Sequence, residues 1–202
     1  YAIAHSISHQ YQLNTLEIPI EKDGINTDYM EKELSKSSIK FLYTIPNAHN
    51  PTGITMSLQK RKKLVELSYI YDFIIIEDDP YRDLLFSDRL PSLFELDSLK
   101  ERVIYLYSFS KTIAPTLRTG FVLAHPFYIQ KLEQFKQNTD SCTSPLNQMV
   151  VNQIIKDESW YQVLEKQRNF YEYKKEITKK FLEKMNKQYG WTSNEPDGGL
   201  FY

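Results

Sequence analysis

Residues 73 to 81 read Phe-Ile-Ile-Ile-Glu-Asp-Asp-Pro-Tyr, an apolar run that stops on three acids, a proline and a phenol. The run is too short for a helix and too continuously apolar for a strand with one wet face, so it predicts a strand buried on both faces, as in a parallel sheet. Ile39 to Ile45 (IKFLYTI) and Val103 to Tyr107 (VIYLY) have the same form, and Thr119 to Ala124 (TGFVLA) is a fourth candidate. Between the first two runs in the chain, Ser57 to Asp72 sets Leu64, Leu67, Ser68 and Tyr71 on one helical face. That makes a strand, helix, strand unit. Helices also fit Asp28 to Ser35, Pro126 to Asn138 and Pro145 to Lys156, and Trp160 to Met185 suits one long amphipathic helix. The alternation predicts a three-layer α/β/α domain with a mostly parallel sheet. In such sheets the ligand lies beyond the carboxyl ends of the strands.

Each of the three runs ends on residues able to bind or react. Asn47, His49, Asn50, Thr52 and Gly53 follow the first, Glu77, Asp78, Asp79 and Tyr81 the second, and Ser108, Ser110 and Lys111 the third, with Arg118 seven residues on. This inventory suits pyridoxal 5'-phosphate (PLP). That cofactor needs a lysine amine to condense with its aldehyde and an acid to keep its ring nitrogen protonated. Lys111 and Asp78 supply these. Asn50 and Tyr81 supply donors near the ring oxygen, and Ser108, Ser110 and Arg118 a seat for the phosphate.

Three motifs, PNAHNPTG (Pro46 to Gly53), IIIEDDPY (Ile74 to Tyr81) and SFSKTIAPTLRTG (Ser108 to Gly120), resemble those of the class I/II aminotransferases of PLP fold type I, in the family's order. PDGGLFY (Pro196 to Tyr202) extends the resemblance nearly to the end of the chain, and Gly198 to Tyr202 within it reads as the start of a strand. The resemblance implies that Lys111 forms the Schiff base and later moves a proton between substrate and cofactor. It implies further that Asp78 pairs with the pyridine nitrogen, that Asn50 and Tyr81 reach the ring oxygen, and that Ser108, Ser110 and Arg118 hold the phosphate. Tyr1 stands where many members stack an aromatic ring on the cofactor. The family pattern also implies a homodimer, amino acid and 2-oxo acid substrates, and a division into a large PLP-binding domain (1–157), a connecting helix (158–188) and the start of a small domain (189–202).

Both ends are read as cuts. The family's phosphate loop is expected upstream of Tyr1 and its substrate-carboxylate arginine downstream of Tyr202, so this piece alone is expected to bind PLP weakly and to turn over no amino acid. Within the family, EDDPY followed by Arg82, Asp83 and Leu84 resembles the branch of 2-aminoadipate and aromatic aminotransferases, which also contains MocR-type regulators. The alternative function is therefore an effector-sensing domain, with DNA as a partner only if a winged helix precedes it.

Composition narrows the classes. A net charge of -1 argues against a dedicated polyanion binder. One cysteine, Cys142, excludes an internal disulfide and a multi-cysteine metal site, so the reducing cytoplasm is the expected location. Asp78-Asp79 could hold magnesium in a nucleotide hydrolase, but no glycine is followed by lysine to form a P-loop. His5 and His9 share a spacing that suits metal ligands, with no third ligand near them. Gln59 to Lys63 and the lysines from Lys174 to Lys187 are read as solvated helix faces.

Overall fold

The computed structural model describes residues 1–157 and 159–202. Helix α1 (Ala2–Gln10) is followed by a hairpin of β1 (Ile20–Glu21) and β2 (Gly24–Ile25), then α2 (Thr27–Leu34), β3 (Phe41–Thr44), α3 (Leu58–Ile70) and β4 (Ile74–Asp78). After these come α4 (Leu93–Leu96), β5 (Val103–Ser108), β6 (Gly120–Leu123), α5 (Pro126–Thr139), α6 (Pro145–Lys156) and α7 (Ser159–Tyr189). The main sheet runs β3-β4-β5-β6, with β3, β4 and β5 parallel and β6 antiparallel. All four expected strands are present. The antiparallel turn to β6 is closed where Phe109 N–H donates to Thr119 C=O at 3.1 Å.

Local chemistry explains the helix starts. Asn26 caps α2 by accepting from Tyr29 N–H at 2.7 Å, and Ser57 stands at the N-cap of α3. Along α3 the buried residues Arg61, Leu64, Val65, Leu67 and Ser68 fall at helical spacing, and Leu64, Val65 and Leu67 share one core with Phe73, Ile75 and Val103. Burying Leu64 and Leu67 completely contributes about 1.5–3 kcal/mol each. Met30, Leu34 and Leu93 close the same core from α2 and α4.

The structure corrects four expectations. First, the strands are fully buried on one face only. Ile75, Val103 and Tyr105 lie under α3 and α4, whereas Ile74, Ile76, Ile104 and Leu106 on the other face are half-buried. A run of apolar residues cannot say how much chain covers each face. Second, Arg61 is not solvated: it lies three and four residues before Leu64 and Val65, on the buried side of the helix, and its relative exposure is 0%. Third, Gly198 to Tyr202 form no strand but a single antiparallel bridge, Leu85 to Gly198, because Gly199 takes φ +74° and ends the extended run. Fourth, α7 forms as one helix, yet only Trp160 and Leu164 of its apolar positions are buried, and Phe170, Ile177 and Phe181 are exposed. Glu158, where the connecting helix is expected to begin, lies outside the described residues.

Sequence reasoning missed α1, the hairpin and α4. Helix α1 buries no residue and carries His5 and His9 exposed, so no apolar stripe signals it. The hairpin was signalled only by Asp23-Gly24, where Gly24 adopts φ +114°.

Candidate active site

The first strand end forms a tight loop. His49 N–H donates to Ile54 C=O at 2.8 Å, Gly53 N–H to His49 C=O at 2.7 Å and Met56 N–H to Pro46 C=O at 2.8 Å, so residues 46 to 56 fold back on themselves and display Asn50 at the tip. Arg61 straps the loop from beneath. Its guanidinium donates to Met56 C=O (2.9 Å), Pro46 C=O (3.2 Å), Pro91 C=O (3.1 Å) and Asn47 Oδ1 (2.6 Å). Asn47 in turn donates to Asp79 Oδ1 at 2.7 Å, which ties the loop to the end of β4.

The three acids after Ile76 part company because side chains alternate along a strand. Glu77 and Asp79 point into the helix side and are fully buried, whereas Asp78 points to the half-open face. Glu77 accepts from the N–H groups of Leu93 and Phe94, both at 2.9 Å. Burial, then the nearby Asp79, pushes its carboxyl up to about 7. Asp79 also accepts from Tyr105 Oη at 3.1 Å and lies 3.7 Å from Arg82. Two adjacent acids on opposite faces cannot hold one metal ion together.

Asp78 has a different setting. Tyr43 Oη donates to its Oδ2, and among the described residues its other oxygen has no protein hydrogen bond. Burial pushes the Asp78 carboxyl above its ordinary value, and the Tyr43 hydrogen bond opposes that push. Tyr81 is buried, edge-on to Phe201, and its hydroxyl faces the Asn50 side chain. The ring of Tyr1 stacks on that of Tyr43, with centroids 6.4 Å apart and planes at 17°. Burial lowers His49 to about 4. Tyr1, Tyr43, Asn50, Asp78 and Tyr81 thus form one cluster.

The remaining expected residues sit on the neighbouring strand. Asp78 pairs in register with Leu106, so Ser108, two residues further along β5, shares its face. Adjacent strands lie about 5 Å apart, which brings the two ends beside one another. Ser110 N–H donates to Ser108 Oγ at 3.3 Å, and Lys111 follows, exposed, at the head of the turn. Arg118 closes that turn in the left-handed conformation (φ 48°), and its Nη1 donates to Pro115 C=O at 3.4 Å. That conformation costs a residue with a side chain about 1–2 kcal/mol. Such strain often accompanies function.

Sequence reasoning missed Tyr43, Arg61 and Asp197, and placed Asn47 at the strand end without its partners. Asp197 reaches back across the chain: its Oδ2 accepts from Thr55 N–H at 2.8 Å, and its own N–H donates to Gly53 C=O at 3.1 Å. Nothing local announces such partners. Gly53 shows how tight this junction is. It adopts φ +70°, and an added Cβ would meet Pro196 Cβ at 2.6 Å. Gly53→Ala is expected to destabilise the fold by about 1–3 kcal/mol and to raise amide exchange in residues 195 to 202. Denaturant melts and hydrogen exchange measure both, and an unchanged exchange pattern would separate Gly53 from that docking.

A mostly parallel sheet with acid, phenol, amine and hydroxyls at neighbouring strand ends defines an α/β domain of the kind that holds a small ligand across those ends. Residues 6–202 match the model of the family described as aminotransferase class I and II, and the chain belongs to that family. It is 35% identical over 207 residues to aromatic-amino-acid aminotransferase 1 of Thermococcus litoralis, covering 100% of this chain and 49% of that protein. It is 34% identical over 199 residues to the HTH-type transcriptional regulator NorG of Staphylococcus aureus, covering 98% of this chain and 44% of the regulator. Among solved structures it resembles LysN, the alpha-aminoadipate aminotransferase of Thermus thermophilus complexed with N-(5'-phosphopyridoxyl)-L-leucine. The TM-score is 0.83 at 38% identity, covering 93% of this chain and 49% of that one. The chain spans about half the length of the curated relatives it matches or less. The fold is that of PLP fold type I aminotransferases.

Proposed function

We propose that the whole protein is a PLP-dependent aminotransferase that moves an amino group between an amino acid and a 2-oxo acid. The observation that carries this reading is Asp78. It is a half-buried carboxylate with one oxygen held by Tyr43 and the other without a protein hydrogen bond among the described residues, one strand away from the Lys111 turn. The donor set fits the cofactor. Asp78 would keep the ring nitrogen protonated, Asn50 and Tyr81 would face the ring oxygen, Tyr1 would lie against the ring, and Ser108, Ser110 and Arg118 would hold the phosphate.

PLP, when bound, supplies an aldehyde for amines and a ring that withdraws electrons. The chain supplies the rest. The Lys111 amine would hold that aldehyde until the substrate amine takes its place, and would then carry the proton from the substrate's α-carbon to the cofactor. Asp78 holds its proton partner in place, and the strapped 46 to 56 loop keeps Asn50 aimed. We place residues 1–157 in the PLP-binding domain, 158–188 in the connecting helix and 189–202 in the small domain, with a cytoplasmic homodimer as the working assembly. Among the described residues no helix is long and apolar enough to cross a membrane.

The test is turnover by the intact protein. With PLP, an aromatic amino acid or 2-aminoadipate as donor and a 2-oxo acid as acceptor, formation of the new 2-oxo acid is expected. The likeness to NorG supports a second reading, an effector-sensing domain of a transcriptional regulator. PLP binding without turnover of any donor, combined with PLP-dependent DNA binding, would replace the first reading by the second.

A further inference from the structure

We infer that Tyr43 is a positioning residue for Asp78: its hydroxyl pins one carboxylate oxygen on the open face of the sheet and thereby reserves the other for the ligand. The inference rests on the reading of this site as a PLP site. Tyr43 pairs in register with Ile76, and Asp78 lies two residues further on the same face. That offset is about 6.6 Å along the strand, which a phenol spans from one strand to the next. The sheet register therefore builds the contact, and no loop is needed to hold it.

The hydrogen bond has one direction. Burial, then the hydrogen bond with Asp78, pushes the Tyr43 phenol well above its usual range, so it remains an O–H donor wherever the protein works. Asp78 must then accept at Oδ2, which favours the carboxylate against the push of burial. A carboxylate fixed at one oxygen keeps its other lone pairs aimed in one direction. An unfixed one would rotate or gain a proton, and in either case would serve a ring N–H less well. Tyr43 also supports the stacked ring of Tyr1, so one side chain touches two members of the cluster.

A purely structural Tyr43 would affect stability alone. A positioning Tyr43 affects the ring nitrogen. In the intact protein loaded with 15N-labelled PLP, Tyr43→Phe is expected to shift the ring-nitrogen resonance towards that of the unprotonated ring. The same change is expected to weaken PLP binding about 10-fold and to lower kcat more than KM. Incorporating 3-fluorotyrosine at position 43, which keeps the shape and strengthens the donor, is expected to move the resonance the other way. This second arm decides the matter should Tyr43→Phe fold poorly. If neither change moves the resonance while Lys111→Ala still removes the visible cofactor band, the role of Tyr43 is refuted and the PLP reading stands. If the unaltered protein shows no visible band with PLP, both fall together.

Discussion

Lys111→Ala in the intact protein is expected to remove the visible absorbance band of bound PLP and to lower kcat by about 10²–10⁴-fold, the range that a positioned proton carrier contributes. Two losses combine here. Without the amine nothing anchors the aldehyde, and nothing carries the proton from the substrate's α-carbon. The fold itself should be indifferent, because Lys111 is exposed at the head of a turn and a change there alters stability by about 0.5 kcal/mol or less. A melt, an absorbance spectrum and single-turnover kinetics on one preparation separate these effects. A spectrum identical to that of the unaltered protein would take Lys111 out of its assigned role. Arginine at the same position should not rescue it, since guanidinium keeps the charge but stays protonated and does not condense.

The second large effect is expected at Arg61. Arg61→Ala should destabilise the chain by about 3–5 kcal/mol, because it removes donors from three buried carbonyls and the Asn47 amide and takes a buried cation from beside Glu77 and Asp79, of which Asp79 keeps Arg82. For a chain of this size the melting temperature would drop on the order of 10 °C. Urea denaturation followed by circular dichroism measures it. Arg61→Lys should recover only part of the loss, since a single ammonium cannot reach acceptors spread around a planar fork. A loss under about 1 kcal/mol for the alanine variant would mean that the strap is ornamental. At partial denaturant the loop from residue 46 to 56 should open first, so PLP affinity would weaken before the sheet unfolds.

Much of this architecture was legible in the residues alone. Runs such as Ile74 to Ile76 can only be strands at that length, and the 3.6-residue spacing of Leu64, Leu67 and Ser68 can only be a helix packed on them, because backbone geometry fixes both periods. The polar residues that terminate those runs gave the candidate site, since in a parallel sheet the strand ends gather at one edge. What failed was whatever depended on distant chain. Arg61 looked like a member of a charged helix face, and only the loop and strand that close over it made it a buried strap. Tyr43 looked like one more aromatic in an apolar run, and only the register of β3 against β4 set its hydroxyl on Asp78. Asp197 gave no sign of its grip on the Asn50 loop from 142 residues away.

The division follows from the range of the forces. Periodicity, turn chemistry and the order of motifs are encoded within a few residues, and by themselves they determined the strands of the main sheet and its main helices; the eight residues proposed to meet the cofactor rest on the motifs and their family resemblance, Tyr1 on the resemblance alone. Which acid lies on the half-open face of the sheet and which is buried behind it, what fixes that acid's other oxygen, and what holds the asparagine loop were decided only when separate segments packed. Hydrogen bonds and ion pairs in a desolvated interior select partners by proximity, and proximity is a property of the folded chain.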